Sequence, residues 1–257
     1  MTNPIKAIAL RVTPRGMQRR LKRWYYPRLL RDYREEQWPE ARIVRLLVRP
    51  GDHVVDAGAN IGYISLLLAR MVGPGGVVHS FEPVPATFEL LENNMRALGV
   101  ANVRARRMAV SDAAGRARMT TPDYSGGGEN LYESHLVGRA EPGSFEVETA
   151  RLDDALGGDA QRVTFVKMDV EGHELTAMRG ADKLLAAQPA LLVEVSGDPD
   201  AAGSNAAALF ELLASRGYAA FRTKDGRLAR RTKGDKSVDY FFLTDVHVKK
   251  LGGAITA

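Results

Sequence analysis

The sequence predicts an α/β fold: a mostly parallel sheet with helices on both faces. Three observations carry that reading. From residue 50 onward, short β-branched runs alternate with apolar-periodic stretches of helical length, as in successive βαβ units. The first run, Val54-Val55-Asp56, ends in an acid. A turn of small residues follows, Ala57-Gly58-Ala59-Asn60-Ile61-Gly62, and then a helical pattern of Ile64, Leu67, Leu68 and Met71. One βα unit further on, the run Val77-Val78-His79-Ser80-Phe81 ends at a second acid, Glu82, which Pro83 holds in an extended conformation.

Pro50-Gly51 opens the body of the fold. Strands are expected near 52–56, 77–82, 103–108, 163–168, 190–196, 217–222 and 238–244, and helices near 62–72, 86–98, 173–187 and 204–216. The alternation breaks between about 113 and 150, where Pro122, Gly126-Gly127-Gly128 and Pro142 lie between hairpin-like runs. A long insertion in a compact domain is usually functional, and this one reads as a flap beside the ligand end of the sheet. The body, 50–257, is long enough for one large α/β domain with this insertion.

Residues 1–49 form a basic helical arm. They hold 13 Lys and Arg against 4 Asp and Glu, a net of +9, and leave the other 208 residues with 23 basic and 27 acidic groups, a net of −4. The positive balance therefore belongs to the arm, which argues against a nucleic-acid partner for the body. Met17, Leu21 and Trp24/Tyr25 share one helical face among Arg19, Arg20, Lys22 and Arg23. That face is expected to pack on the body while the bases stay solvated, and Pro27 is expected to end or bend the helix. Peripheral membrane contact or a grip on a phosphorylated acceptor are the alternative uses of the arm. No run of about 18 apolar residues is present, no apolar region suggests a secretory signal, and there is no cysteine, so the chain reads as cytoplasmic.

The turn after the first strand reads D-x-G-x-N-x-G. It is not the G-x-G-x-x-G of dinucleotide binders, which argues against NAD. Gly58 and Gly62 allow close backbone approach, and Asn60 is one of the few residue types that tolerate positive φ. The carboxylate of Asp56 beside the turn would repel a phosphate and attract a cation. S-adenosylmethionine (SAM), with an amino group and a sulfonium, fits that charge. Glu82 is placed to accept the two ribose hydroxyls. Neither the G-x-S-x-G of serine hydrolases nor a P-loop occurs.

The fourth strand ends in Lys167-Met168-Asp169-Val170-Glu171-Gly172-His173-Glu174. Ligands bind beyond the carboxyl ends of strands in open α/β sheets, so Asp169, Glu171 and His173 are the candidates for acid–base work, in the order Asp169, His173, Glu171. Glu194, ending the fifth strand, is an outside candidate. Glu174 reads as a structural acid in the first turn of a helix. The Asp-x-Glu-x-His spacing is not a specific metal signature, and no metal is expected.

Asp56-Ala-Gly-Ala-Asn-Ile-Gly62, Phe81-Glu82-Pro83, Ala109-Val-Ser-Asp112, Leu152-Asp153-Asp154 and Lys167 to Glu174 together resemble the FkbM-type SAM-dependent methyltransferases over roughly 50–200. The resemblance implies a class I methyltransferase-like Rossmann fold, with a seven-stranded sheet containing one antiparallel strand. It implies O-methylation of a hydroxyl on a small-molecule or glycan acceptor, such as a sugar or secondary metabolite. By the same resemblance, Asp56, Gly58, Asn60 and Gly62 line the methionine end of SAM and Glu82 holds the ribose. Ala109, Ser111 and Asp112 lie beside the adenine, and Asp169 and its neighbours face the methyl group. A nucleic-acid methyltransferase using the arm, or a non-catalytic SAM-binding module, are the alternatives.

Overall fold

A computed structural model describes residues 15–120, 135–137, 144–235 and 237–256. The expected flap lies partly outside these residues. What is described of it belongs to a small second sheet, discussed below.

The expected strands are found as β1 (His53–Ala57), β2 (Val77–Phe81), β3 (Val103–Arg106), β8 (Val163–Met168), β9 (Ala190–Glu194), β10 (Ala219–Lys224) and β12 (Asp239–Leu243). All seven lie in one sheet, extended at one edge by β11 (Arg227–Arg230) and β13 (Ile255–Thr256). The order is β3-β2-β1-β8-β9-β12-β10-β11-β13. Strands β3, β2, β1, β8 and β9 run parallel, and β12 is antiparallel to both β9 and β10. The added β11 is antiparallel to β10 across Asp225-Gly226, both at positive φ, the dipeptide a tight hairpin favours.

The chain runs outward from β1 to β3, then returns to lay β8 on the other side of β1. The strand order reverses there, and a crevice opens above that point. Strand β1 is buried along its whole length, as a sheet covered on both faces requires. Val55, Val166, Leu191 and Tyr240 face α5 (Leu152–Leu156), α6 (Glu174–Arg179), α7 (Asp182–Ala186) and α8 (Asn205–Ser215). Val54, Phe165, Leu192 and Phe241 face α2 (Ala41–Leu47), α3 (Tyr63–Val72) and α9 (Asp245–Leu251). The single helix expected over 173–187 is two helices, α6 and α7. They break at Gly180, where a Cβ would lie 1.9 Å from the Ser111 carbonyl oxygen.

A second sheet of order β4-β7-β5-β6 sits over the crevice side of the fold. It comprises β4 (Ala109–Ser111), β5 (Gly115–Thr120), β6 (His135–Val137) and β7 (Phe145–Arg151). Val84, Ala109, Met119 and Val147 form its small core.

The helix of the arm, α1, spans Arg15–Arg31 with Pro27 inside it, so of the two expected effects of the proline it does not end the helix. Proline has no N–H for the Arg23 carbonyl four residues back, and Asn93 Nδ2 of α4 (Pro85–Ala97) supplies that donor at 3.0 Å. The packing face is not the Met17 stripe. Leu30 and Pro27 are buried instead, Leu30 in the cluster that joins α1, α3 and α4, while Met17, Leu21 and Trp24 are 60%, 60% and 56% exposed. The physical reason is angular: at 100° per residue, 26 and 30 lie across the helix from 17, 21 and 24, so seating Leu30 on the body turns the Met17 stripe outward. Finally, the arm merges with the body before residue 50, since Trp38, Ile43, Val44 and Leu47 belong to the core beneath the sheet. Among the described residues no helix is long and apolar enough to cross a membrane.

Candidate active site

The crevice above β1 and β8 holds a cavity of about 270 Å³. One side is the β1 turn, with Gly58 and Asn60. The floor continues through Phe81, Glu82 and Val84 after β2. The opposite side is the loop after β8, with Asp169, Val170, Glu171 and His173. Met108, Ala109, Val110 and Met119 close the apolar end.

The turn has the backbone its residues suggest. Gly58 and Gly62 have φ of 81° and 98°, and Asn60 has φ 49°. Asn60 Oδ1 accepts the Ile61 N–H at 2.8 Å, a local bond that supports this conformation. The two glycines serve different contacts. A Cβ on Gly58 would lie 1.7 Å from the Asp169 carbonyl oxygen, so this glycine lets the ends of β1 and β8 close together. A Cβ on Gly62 would meet Leu91 Cδ1 and Met95 Cε at 2.7 and 2.8 Å. Gly62 therefore seats α3 against α4 and does not line the cavity.

Glu82 is 5% exposed. Its Oε2 accepts the Asn60 N–H at 2.9 Å and its Oε1 accepts the Val84 N–H at 2.8 Å, so it ties the β1 turn to the β2 exit. Each oxygen keeps a lone pair for a ligand hydroxyl. Burial pushes this carboxyl up to about 7, with Asp56 and Asp169 adding to the rise and the two N–H donors opposing it.

Asp56 lies beneath the turn, away from the cavity. Its Oδ2 accepts the Ser65 hydroxyl at 2.5 Å, and Ser65 Oγ also meets Ser80 Oγ at 2.8 Å. Burial raises Asp56 to about 6, and the Ser65 hydrogen bond and Lys167 pull it back.

At the end of β8, Asp169 lines the cavity and its Oδ2 lies 3.0 Å from Lys167 Nζ. Lys167 is itself buried. Burial works against its charge, yet Asp169, Asp56 and Asp239 hold it above its ordinary value. Beside them, burial and then the charge of Asp169 push Glu194 up to about 7, while Lys167 pulls it back. The buried cation thus pairs with Asp169 and lies within electrostatic reach of Asp56, Glu194 and Asp239. Lys167 and Asp239 were missed in the sequence. The available signal was a lone lysine in the apolar run Val163-Thr164-Phe165-Val166-Lys167-Met168.

Glu171 lines the cavity with φ 52°. His173, also lining it, precedes α6, and its Nε2 lies 3.2 Å from Ser111 Oγ. Burial lowers His173, with Asp112 opposing, which keeps the imidazole neutral near pH 7. Ser111 and Asp112 therefore reach the site through His173, whereas Ala109 contributes to its wall. Glu174 is structural: its Oε1 accepts the Gly172 N–H at 2.8 Å.

A separate group, His53, His79 and Asp159, lies on β1, β2 and the turn before β8, with ligand-type atoms within 4.8 Å of one another. Arg106 Nη1 stands 3.2 Å from His79 Nδ1, and Arg104 Nη1 stands 2.7 Å from Asp159 Oδ2. A guanidinium can only donate, so His79 carries its proton on Nε2, facing Asp159. The group is a salt-bridged network on this reading, and Nε2 offers no lone pair to a cation.

The cavity at the switch point is partly apolar and lined by Glu82, Asp169 and Glu171, groups whose chemistry fits the hydroxyls and positive charge of SAM. The family model described as the methyltransferase FkbM domain matches residues 56–220, and the chain belongs to that family. It is 31% identical over 145 residues to "Methyltransferase 1" of Beauveria bassiana, covering 50% of this chain and 58% of that one. It is 30% identical over 176 residues to the hexuronic acid methyltransferase AglP of Haloferax volcanii, covering 66% of each. It is 49% identical over 73 residues to the 31-O-demethyl-FK506 methyltransferase FkbM of Streptomyces tacrolimicus, covering 28% of this chain and 27% of that one. The match spans only 58% and 60% of the length of the first two such relatives.

Proposed function

We propose that the chain transfers a methyl group from SAM to a hydroxyl oxygen of a small-molecule or glycan acceptor. The observation that carries this reading is the juxtaposition, across one cavity, of the Gly58–Asn60 turn and Glu82 with Asp169, Glu171 and His173. The names of AglP and FkbM, which specify a hexuronic acid and an oxygen of FK506, support the acceptor class.

In this proposal Glu82 holds the ribose hydroxyls through its free lone pairs. Val84, Met108, Val110 and Met119 exclude water from the adenine. Bound SAM supplies a methyl group already activated on a sulfonium. The protein's remaining task is to hold the acceptor oxygen in line and take its proton. Orientation alone is worth up to about 7–11 kcal/mol in well-aligned systems. Asp169 is the proposed base, with Lys167 fixing its carboxylate on one side and Glu194 beside it. His173, neutral and oriented by Ser111, is the second candidate.

Asp169→Asn keeps the shape of the site and removes the base. SAM binding by calorimetry should stay within a few-fold, and turnover should fall by about 10²–10⁴. Turnover near the parent level would place the base elsewhere. The acceptor class is tested by incubating the protein with methyl-labelled SAM and fractionated glycans, uronic acids, macrolide alcohols and nucleic acids. Label should enter a hydroxyl-bearing glycan or small molecule. Label in nucleic acid alone, or in no fraction, would overturn the proposed function.

A further inference from the structure

Helix α1 has two faces, and the core of the described residues takes one. Leu30 and Pro27 fasten it to the body, helped by the Arg23–Glu89 ion pair at 3.1 Å and by Asn93. The other face carries Met17, Leu21, Trp24, Tyr25 and Leu29, exposed by 60%, 60%, 56%, 48% and 40%. Positions 17, 21, 24, 25 and 29 fall within one sector of about 140° at 100° per residue. Five large apolar side chains exposed within one sector of an anchored helix are concentrated, unlike apolar residues scattered singly.

The charges around the patch identify what covers it. The segment Arg15–Arg31 has seven basic residues and no acid. Arg20 and Arg31 flank the apolar sector on one side and Lys22 on the other, and Arg28 lies within it, its guanidinium over the Trp24 ring, 3.8 Å from its centroid. An apolar stripe with a tryptophan and a tyrosine, bordered by cations, matches the boundary between acyl chains and anionic headgroups. A second copy of the chain would bring the same positive charge against itself. A nucleic acid would meet the cations but leave Met17, Leu21 and Leu29 without an apolar phase.

We propose that the exposed face of α1 docks the protein on an anionic phospholipid bilayer, with the helix lying in the interface plane. Met17, Leu21 and Trp24 enter the acyl boundary, and Arg20, Lys22, Arg28 and Arg31 reach headgroup phosphates.

The test uses the full chain with vesicles of phosphatidylcholine alone and of phosphatidylcholine mixed with phosphatidylglycerol. The chain has two tryptophans, and Trp38 is 6% exposed, so changes in tryptophan quenching by acrylamide report on Trp24. On anionic vesicles the emission should shift to the blue and quenching should fall. Partition should be at least about tenfold stronger than on neutral vesicles and should weaken with salt. The double substitution Met17→Glu, Leu21→Glu alters exposed positions, so the melting temperature should hold while partition falls by about tenfold or more. No vesicle binding, or equal binding by the double variant, would overturn the proposal. So would shielding of Trp24 by a single-stranded oligonucleotide, or by self-association, without shielding by vesicles.

Discussion

Asp56 shows how a residue that looks like a ligand group can act from below. Its carboxylate is buried against Ser65, and its ordinary value of 3.8 is raised to about 6, burial being the largest cause. A raised carboxyl favours the protonated folded state. The associated stability is complete below the ordinary value and is lost as pH rises through about 6. A rise of that size corresponds to about 3 kcal/mol. Asp56→Asn removes that loss while keeping an oxygen for the Ser65 hydroxyl. Urea unfolding of parent and variant between pH 4 and 7 should show the variant gaining on the parent as pH rises, by up to that amount. A constant difference across the range would show that Asp56 is not held protonated. Glu82 and Glu194, both raised to about 7, slope the same way, while His79, pushed down to about 4 by burial and then by Arg106, slopes against them. The comparison of variant with parent isolates the single group.

Among the elements, α1 separates anchoring from exposure within one helix. Leu30 is fully buried against α3 and α4, so Leu30→Ala loses both transfer energy and packing, a cost of about 2–5 kcal/mol. Met17→Ala changes a 60% exposed side chain and should alter stability by no more than about 0.5 kcal/mol. Chemical denaturation of the two variants checks the contrast. Equal, large losses would mean that the outward face is packed against the body after all. At the opposite edge, β11 was legible in principle. Asp225-Gly226 between two polar–apolar alternating runs is a strong hairpin signal, and it extends the seven expected strands to nine by way of β11 and then β13. The break between α6 and α7 was not legible, because the helical pattern runs on through Gly180. At that break the Ser111 backbone, far earlier in the chain, comes so close that only glycine fits at 180.

For the whole molecule, the cavity joins three units that meet only in the folded state: the β1 turn, the β8 loop and the second sheet through Met119. A ligand that binds this assembly and not the unfolded chain stabilises all of it. At about one hundred times its dissociation constant the gain is about 2.7 kcal/mol. SAM and its demethylated product should therefore raise the melting temperature by several degrees, and NAD should not. A rise with NAD and none with SAM would contradict the D-x-G-x-N-x-G reading of the turn.

The alternating fold, the seven strands and their acids, and the family could be read from the chain alone, because each of these is local. Strand runs, glycine turns and a carboxylate at a strand end are written in consecutive residues. The sequence also led to Asp169, Glu171, His173 and Glu82, all of which line one cavity. Which groups meet depended on how the chain folds back on itself. Lys167 pairs with Asp169 within electrostatic reach of Asp56, Glu194 and Asp239, Ser111 orients His173 across 62 residues, and Gly58 matters because Asp169 comes back against it. Asp56 turned inward and the Met17 stripe turned outward for the same reason. A sequence fixes which side chains share a face of a strand or helix, but which face is covered is settled by the neighbours that the rest of the chain brings to it.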